Sequence, residues 1–439
     1  MAVVSLTAGS VAAAISGRIE SGNASLPIGP VSIDSRTVAA GELFIAIRGE
    51  RFDGHRFVAS ALERGAIGAL VDDVAAIATV PKNTLLIVAG DTTKGLQDLA
   101  RDVRRRSQAR VVAITGSAGK TTTKELSAEL LSSRYRVFRN KGNLNNHIGL
   151  PLSLLELRAG PEAAVVELGM NHPGEISTLV GIAEPDVRVW TNVGDAHIGF
   201  FASADAIADA KAEILEQATA SQVLVANADD PRIMSRVRAF HGRTLTFGIE
   251  NDADVRATSV RMLGLEGVRA SVRTPAGAFE LTTPLLGYGN LSNALAATAV
   301  AITFDVPLDA ISERAATFRA ARRRGELVRL PGGVTLIDDS YNSSPAALNR
   351  ALETLGASTG SARKVAVLGE MLELGAHADS LHRRSGRAAQ AAGIDWLVVV
   401  GGAAARQLAE GARDAGGPHR VRAGSHAGDR SDRHARASG

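Results

Sequence analysis

The chain has 439 residues, 45% hydrophobic and 22% charged, and at roughly 100–200 residues per domain that length points to several domains. Lys and Arg (49) nearly balance Asp and Glu (46), and aromatics make up 4%, so neither the basic field nor the stacking platforms of a nucleic-acid binder are present. The absence of cysteine excludes disulfide frameworks, cysteine-ligated zinc and thiol nucleophiles. No run of about 18 apolar residues occurs, so no membrane span is expected. The apolar start lacks the basic region of a signal peptide, its first positive charge being Arg18, and a cytoplasmic protein is expected.

From about residue 25 to 90, short strand-like runs alternate with turn residues: Val31–Ile33, Leu43–Ile47 and Leu85–Val88, with helical spacing over Phe57–Gly65. Arg101–Arg110, with five arginines, predicts a helix leading into the next unit. That unit opens on the apolar strand Arg110–Thr115, a Gly-rich turn and a helix over Lys120–Ser133. Buried-strand patterns follow at Ala164–Glu167, Val187–Trp190 and Gln222–Ala226, separated by helix-length segments, which predicts βαβ units and a mostly parallel sheet. Residues 253–286 read as strands and turns, a β-ribbon appended to that sheet. Near 320 a third unit begins, with strands Val334–Asp338, Lys364–Leu368 and Asp395–Val400 alternating with helices. After about 417 the composition turns to five Arg and three His among small polar residues, too poor in apolar surface to order itself. The expected organisation is three α/β domains, 1–100, 101–318 and 319–417. Residues 418–439 are expected to be a disordered or aberrant tail.

The strongest chemical signal is Thr115-Gly-Ser-Ala-Gly-Lys-Thr-Thr-Thr123, between a strand and a helix. In that context glycines let backbone N–H groups converge on phosphate oxygens, and the helix N-terminus adds partial positive charge. Gly116, Ser117, Ala118, Gly119, Lys120, Thr121 and Thr122 therefore form a nucleotide-phosphate loop. Lys120 is placed to reach the β/γ-phosphates and Thr121 to put a hydroxyl on Mg²⁺. Glu167 ends a strand on the carboxyl edge of the sheet, where open α/β folds bind ligands, and a hard cation suits a carboxylate there. His197 follows the strand Val187–Val193 at the same edge, in a polar loop with Asn192, Gly194 and Asp195; it reads as a core histidine or as a site residue. Lys211 sits on a helix-like run near Asp209, Glu213 and Glu216, and by itself reads as a solvated lysine. Asn290 and Asn293 share one face of a helix start, and Asn145, Asn146 and His147 form a polar loop that reads as turn chemistry.

The shortened T-G-x-x-G-K-T loop resembles that of the Mur ligases. So do Gly142–Pro151, Glu167–Glu175, Thr191–His197, Gly289–Leu295 and Asp338–Pro345, and Asp34-Ser-Arg36 with Phe44 and Asp53-Gly-His55 is similar to the family's uridine-nucleotide domain. The resemblance spans about residues 25–410. It implies an N-terminal domain for the UDP-linked substrate, a central ATPase domain and a Rossmann-like third domain. The implied activity is ATP-dependent, ADP-forming amide ligation in peptidoglycan precursor synthesis, through an acyl phosphate. Within the family the motifs are most similar to the branch that adds D-alanyl-D-alanine to a UDP-linked muramoyl tripeptide, in a protein expected to be a monomer. Glu167 and His197 are implied as Mg²⁺ ligands with Thr121, and Lys211 as a lysine carbamylated by CO₂ that completes the metal set. Lys120, Lys211 and His197 are implied as catalytic residues. Asn290 and Asn293 are implied near the adenine, Arg324 and Asp339 as third-domain contacts to the nucleotide, and Asn145, Asn146, Asp34, Ser35 and Arg36 as substrate contacts. One departure is Arg323, where the family usually carries glycine, which leaves the local backbone open. The other is the end of the chain, where the family continues with a further strand, so the third domain is expected to be incomplete, its sheet ending on an unpaired strand 397–400. Another Mur-type ligase, folylpolyglutamate synthetase and a nucleotide-binding protein without ligase activity are the alternatives.

Overall fold

The computed structural model describes residues 3–49, 52–77, 80–81, 84–196, 198–358, 360, 363–416 and, as backbone only, 420–424. The first sheet has five strands. Val31–Ser32, Leu43–Ile45, Gly68–Val71 and Leu85–Val88 are parallel, and Arg18–Ser21 pairs antiparallel along the last of them. Three strands of this sheet are buried throughout, as parallel strands covered on both faces must be. The N-terminal segment belongs to the fold rather than preceding it: Thr7 caps the helix Ala8–Ala14, and the Val4 amide donates to the Arg158 carbonyl at 3.2 Å.

The arginine-rich helix runs over Thr92–Arg106, capped by Asp91. Its basic end is neutralised by neighbours, with Arg101 and Arg105 on Glu184 and Arg104 on Asp186. Its buried face (Leu96, Leu99, Ala100, Val103) packs on the helices Gly149–Leu154 and Glu175–Ala183, so it joins the first two domains as one continuous core.

The central sheet has nine strands. Parallel strands Val137–Arg139, Ala163–Glu167, Arg110–Thr115, Val187–Trp190, Val223–Asn227 and Arg243–Gly248 lie side by side in that order. The strand Val255–Met262 then starts a ribbon with Val268–Thr274 and Gly277–Thr283, antiparallel as expected. The phosphate-loop strand therefore lies between the strand ending at Glu167 and the strand leading to Asn192, and all three deliver their carboxyl ends to one edge.

The third domain differs from the sequence reading in two ways. Thr335–Asp338 does not join the parallel sheet; it pairs antiparallel with Glu326–Arg329 as a separate two-stranded unit. In the parallel sheet, Val365–Gly369 and Trp396–Val400 are followed by a third strand, Arg420–Gly424, in register from Trp396↔Arg420 to Val400↔Gly424. The expected unpaired edge on residues 397–400 is thus corrected. Arg-Val-Arg-Ala carries the two-residue alternation of a strand, which an average over the Arg-rich segment conceals. Residues 417–419 and 425–439 lie outside the described residues.

Candidate active site

The phosphate loop is shaped by two glycines. Gly116 has φ of 151° and a Cβ there would lie 1.9 Å from the Thr191 hydroxyl, while Gly119 has φ of 79° and a Cβ would lie 2.3 Å from the Asn293 Oδ1. Only glycine fits both the dihedrals and the space. Asn192 grips the loop at two points: its Oδ1 accepts from the Ala118 amide at 2.9 Å and its Nδ2 donates to the Ala118 carbonyl at 2.9 Å. Ser117 adds a bond in each direction, donating to the Gly194 carbonyl and accepting from the Gly194 amide. The helix Lys120–Leu131 begins directly after Gly119, so its free N–H groups face the loop.

Lys120 folds back on the loop, donating to the Gly116 carbonyl at 2.7 Å. Burial lowers its pKa, with Arg324 pushing the same way and Glu167 opposing. Thr121 donates to the Glu167 Oε2 at 2.8 Å and Asn145 donates to its Oε1 at 3.0 Å. A hydroxyl and a buried carboxylate, 4% exposed, thus share one position at the sheet edge. Hard oxygen donors converging in this way fit Mg²⁺, which takes few protein ligands and completes its shell with phosphate and water. Among the described residues, no cluster of three or more His, Asp or Glu forms a complete metal site.

Lys211 overturns the solvated reading. It is 1% exposed and its ammonium makes no hydrogen bond or ion pair among the described residues. Burial, reinforced by the charge of Lys120, holds its pKa well below the ordinary lysine value. The acids expected beside it are engaged elsewhere: Asp209 with Arg236, Glu213 with the Gly174 and Ser177 amides, and Glu216 with the Ser177 hydroxyl. Lys211 is therefore a buried amine that gives up its proton more readily than a solvated lysine does, close enough to Lys120 to feel its charge. His197 lies outside the described residues.

A cleft of about 650 Å³ opens over the loop, and the third domain forms its far wall. It brings together Ser117–Thr122, Asn145, Asn146, Glu167, Asn290, Asn293, Arg324 and Asp339. Asn293 bridges the walls of the loop, accepting from Thr123 at 3.3 Å and donating to Asn290 at 3.4 Å. Asn146 Oδ1 accepts from the Ile148 and Gly149 amides just ahead of the helix Gly149–Leu154. Arg324 lies over the Tyr341 ring, 4.1 Å from its centroid. Asp339 opens on the cleft, yet desolvation by the surrounding protein pushes its carboxyl up to about 6, with Arg324 holding it back. Two contacts hold this wall to the phosphate-loop side: Arg384 donates to Asp195 at 2.8 Å, and the Gly199 amide donates to the Glu373 carbonyl at 2.9 Å.

The cleft does not include Asp34, Ser35 or Arg36. They follow the strand Val31–Ser32 of the first domain, where Arg36 grips the Asp34 carboxylate bidentately and its hydrogen bonds hold that pKa at about 2. Nearby His55 is buried, accepting from the Asp72 amide and bonded to Asp53 at 2.6 Å, a network that shapes the same edge. Sequence reasoning missed Lys124. It is 1% exposed and donates to the Asn140 carbonyl at 2.7 Å, and the Asn140 side chain in turn joins the Glu167 amide to the Leu144 carbonyl. The threonine run signalled a helix but gave no sign that its lysine points inward. Tyr341 and Arg350, also on the cleft, were hidden because nothing local marks which face of the third domain turns toward the nucleotide.

Family models match three successive segments: Mur ligase family, catalytic domain, over 27–109; Mur ligase middle domain over 114–301; and Mur ligase, glutamate ligase domain, over 323–437. The chain belongs to the Mur ligase family. The UDP-N-acetylmuramoyl-tripeptide–D-alanyl-D-alanine ligases of Bacillus subtilis and Escherichia coli are each 35% identical to it, over 87% and 91% of this chain and 82% and 86% of theirs. MurF from Acinetobacter baumannii superposes with a TM-score of 0.88 at 32% identity, covering 96% of this chain and 90% of that one. MurF from Thermotoga maritima in complex with ADP superposes with a TM-score of 0.78, also at 32% identity, over 86% of each chain. Folylpolyglutamate synthase from Mycobacterium tuberculosis, at 19% identity and a TM-score of 0.61, shares the fold. In this Mur ligase no helix among the described residues is long and apolar enough to cross a membrane.

Proposed function

We propose that the protein is the ATP-dependent ligase that joins D-alanyl-D-alanine to UDP-N-acetylmuramoyl tripeptide, yielding ADP and phosphate, in cytoplasmic peptidoglycan precursor synthesis. The observation that carries this reading is the single cleft in which the phosphate loop and the Thr121–Glu167 pair face Arg324 and Asp339 across a domain boundary. The relatives named above supply the substrate class. The ligase is taken to act as a monomer.

Phosphoryl transfer is mostly positioning and charge neutralisation. The loop amides and the helix N-terminus cradle the polyphosphate, and Lys120 exchanges the Gly116 carbonyl for phosphate oxygens. Thr121, Glu167, a carbamylated Lys211 and, by family resemblance, His197 would hold Mg²⁺. When bound, Mg²⁺ supplies neutralisation of the phosphoryl charge. The tripeptide's terminal carboxylate oxygen attacks the γ-phosphorus and the bond to ADP breaks, giving an acyl phosphate. The dipeptide amine then attacks the acyl carbon, loses a proton, and expels phosphate. Asn145 and Asn146, on the cleft, would contact the acceptor, while Asp34, Ser35 and Arg36 suit the distant uridine end of a long substrate. Arg324 and Asp339 close over the nucleotide and help exclude water from the acyl phosphate.

The test is ADP release with UDP-N-acetylmuramoyl tripeptide plus D-alanyl-D-alanine, against the dipeptide substrate plus a free diamino acid. Turnover with the first pair alone is expected. Turnover with the second pair, or with a folate substrate, would replace this reading with one of the alternatives.

A further inference from the structure

The helix Pro345–Ala357 turns one face to the cleft, with Ala347, Arg350, Ala351 and Thr354 at helical spacing. Opposite it begins the helix Gly287–Thr303 of the central domain. The approach is close. A Cβ on Gly289 would lie 3.3 Å from both the Cδ and an Nη of Arg350, and a Cβ on Gly287 would lie 2.5 Å from the Thr354 hydroxyl. The Arg350 side chain therefore fills the room that a side chain at 289 would take. Arg350 is half-buried, and its guanidinium makes no hydrogen bond or ion pair among the described residues. Withdrawing a guanidinium from water without a partner is costly, and burial lowers its pKa, with Glu353 opposing.

The polarity of the cleft indicates what such a group meets. The loop amides set the phosphate end, and the Thr121–Glu167 pair sets the side on which the metal and the transferred phosphoryl lie. The cleft continues the other way, past Asn293 and Asn290 to Gly289 and Arg350, which leaves that side for the rest of a nucleotide. There Leu286, Ala347 and Ala351 give apolar walls beside a few polar groups, the make-up of a pocket for a flat heterocycle. A planar guanidinium both stacks on such a ring and donates to its nitrogens.

We propose that Arg350 reads the nucleobase, reaching from the third domain across Gly289 to contact the base of the bound nucleotide, so that base recognition depends on docking of that domain. This rests on the ATP-dependent reading of the cleft and names a contact within it.

The test compares the parent with Arg350→Met, which keeps the aliphatic length, and Arg350→Lys, which keeps the charge but not the planar face. In Arg350→Met the KM for ATP should rise about tenfold, with kcat and the KM for D-alanyl-D-alanine little changed. Inhibition by inorganic tripolyphosphate, which has no base, should not change, and Arg350→Lys should recover only part of the ATP affinity. Unfolding temperatures equal to the parent's confirm that the variants fold. An unchanged KM for ATP would overturn the proposal, as would weakening of tripolyphosphate in step with ATP, since a general cationic field would do the latter. If the parent itself turns over no acceptor pair, the ligase reading fails. Direct titration with a ribose-tagged fluorescent ATP then still decides the role of Arg350, by the same loss or lack of loss in the Met variant.

Discussion

On the central wall of the cleft Thr121, Asn145 and Glu167 hold one another at 2.8–3.0 Å, and the loop beside them is clamped by Asn192 and Ser117. On the facing wall Arg324 rests on the face of Tyr341, Asp338 ends a two-stranded ribbon with Asp339 directly after it, and Arg350 has no polar partner among the described residues. One wall is organised before any ligand arrives, on strands that are buried throughout. The other is organised by its docking and by what it meets. Groups that stabilise a transition state gain most from rigid elements, because no reorganisation is then needed at the moment of reaction. Groups that recognise the bound nucleotide can come from an element that moves. Changes on the central wall should therefore lower kcat, and changes on the third-domain wall should chiefly raise the KM for ATP.

The largest effect is expected at Lys120. Lys120→Ala should cut ligation by about 10³-fold or more without lowering the unfolding temperature, since among the described residues the Lys120 ammonium hydrogen-bonds to the Gly116 carbonyl alone and its burial carries a desolvation cost. Full turnover at saturating ATP would remove the phosphate loop from the mechanism.

Lys211 separates stability from activity on the same wall. Because burial holds its pKa well below the ordinary value, the unfolded chain binds more protons, and stability is lost as pH falls toward the folded pKa. Lys211→Met removes that cost. It should abolish ligation, raise the unfolding temperature at neutral pH, and flatten that pH dependence. Lys211→Ala should be rescued in part by short carboxylic acids standing in for the carbamate; an inactive variant that no acid rescues would count against the carbamate.

A step smaller, Glu167→Gln should lower kcat by about 10²-fold and shift the Mg²⁺ titration to higher concentration, a neutral amide being a poorer ligand for a hard dication. An unshifted titration would leave Glu167 as a strand-end partner of Thr121 and Asn145 only.

Asp339 tests the opposite wall. Its carboxyl, pushed up to about 6 by desolvation, gains a proton as pH falls through that value. The KM for ATP should rise several-fold from about pH 7 to about pH 5, while this carboxyl's own contribution to the stability of the ligand-free protein, the difference between the parent and Asp339→Asn, grows over the same span against the opposing trend of Lys211, since a raised acid favours the folded state when protonated. Asp339→Asn should flatten the KM profile. Parallel rather than opposite trends would mean that another group governs ATP affinity.

The smallest effect concerns Arg323, which has φ of 61°, the left-handed region, and whose carbonyl accepts from the Tyr341 amide. Arg323→Gly should relieve about 1 kcal/mol of backbone strain, offset in part by the freer unfolded chain. Thermal unfolding of the two forms measures the balance.

What the sequence disclosed follows the same division. The phosphate loop, Glu167 and the βαβ order were legible because each rests on a local pattern: glycines between a strand and a helix, and apolar runs too short for helices. The turn at Arg323 was marked only as a departure from the family, and it adopts the glycine-like backbone all the same. Lys211 reads as solvated because helix position alone does not say which face is covered; only the packing around that helix does. Arg420–Gly424 was concealed by composition, and the pairing of Thr335–Asp338 with Glu326–Arg329 by a strand too short and too exposed to show its partner. Arg350 carries no local signal, because its meaning lies in the absent side chain of Gly289, sixty-one positions away and in another domain.

The most direct measurement of the central claim follows the oxygen atoms. UDP-N-acetylmuramoyl tripeptide labelled with oxygen-18 in its terminal carboxylate is turned over with ATP and D-alanyl-D-alanine, and the released phosphate is analysed by mass spectrometry. Activation by phosphoryl transfer leaves one carboxylate oxygen in the phosphate for each amide formed, with ADP as the nucleotide product. Amide formation with no label in the phosphate, or with label in AMP, would contradict the acyl-phosphate mechanism and the role assigned to the cleft.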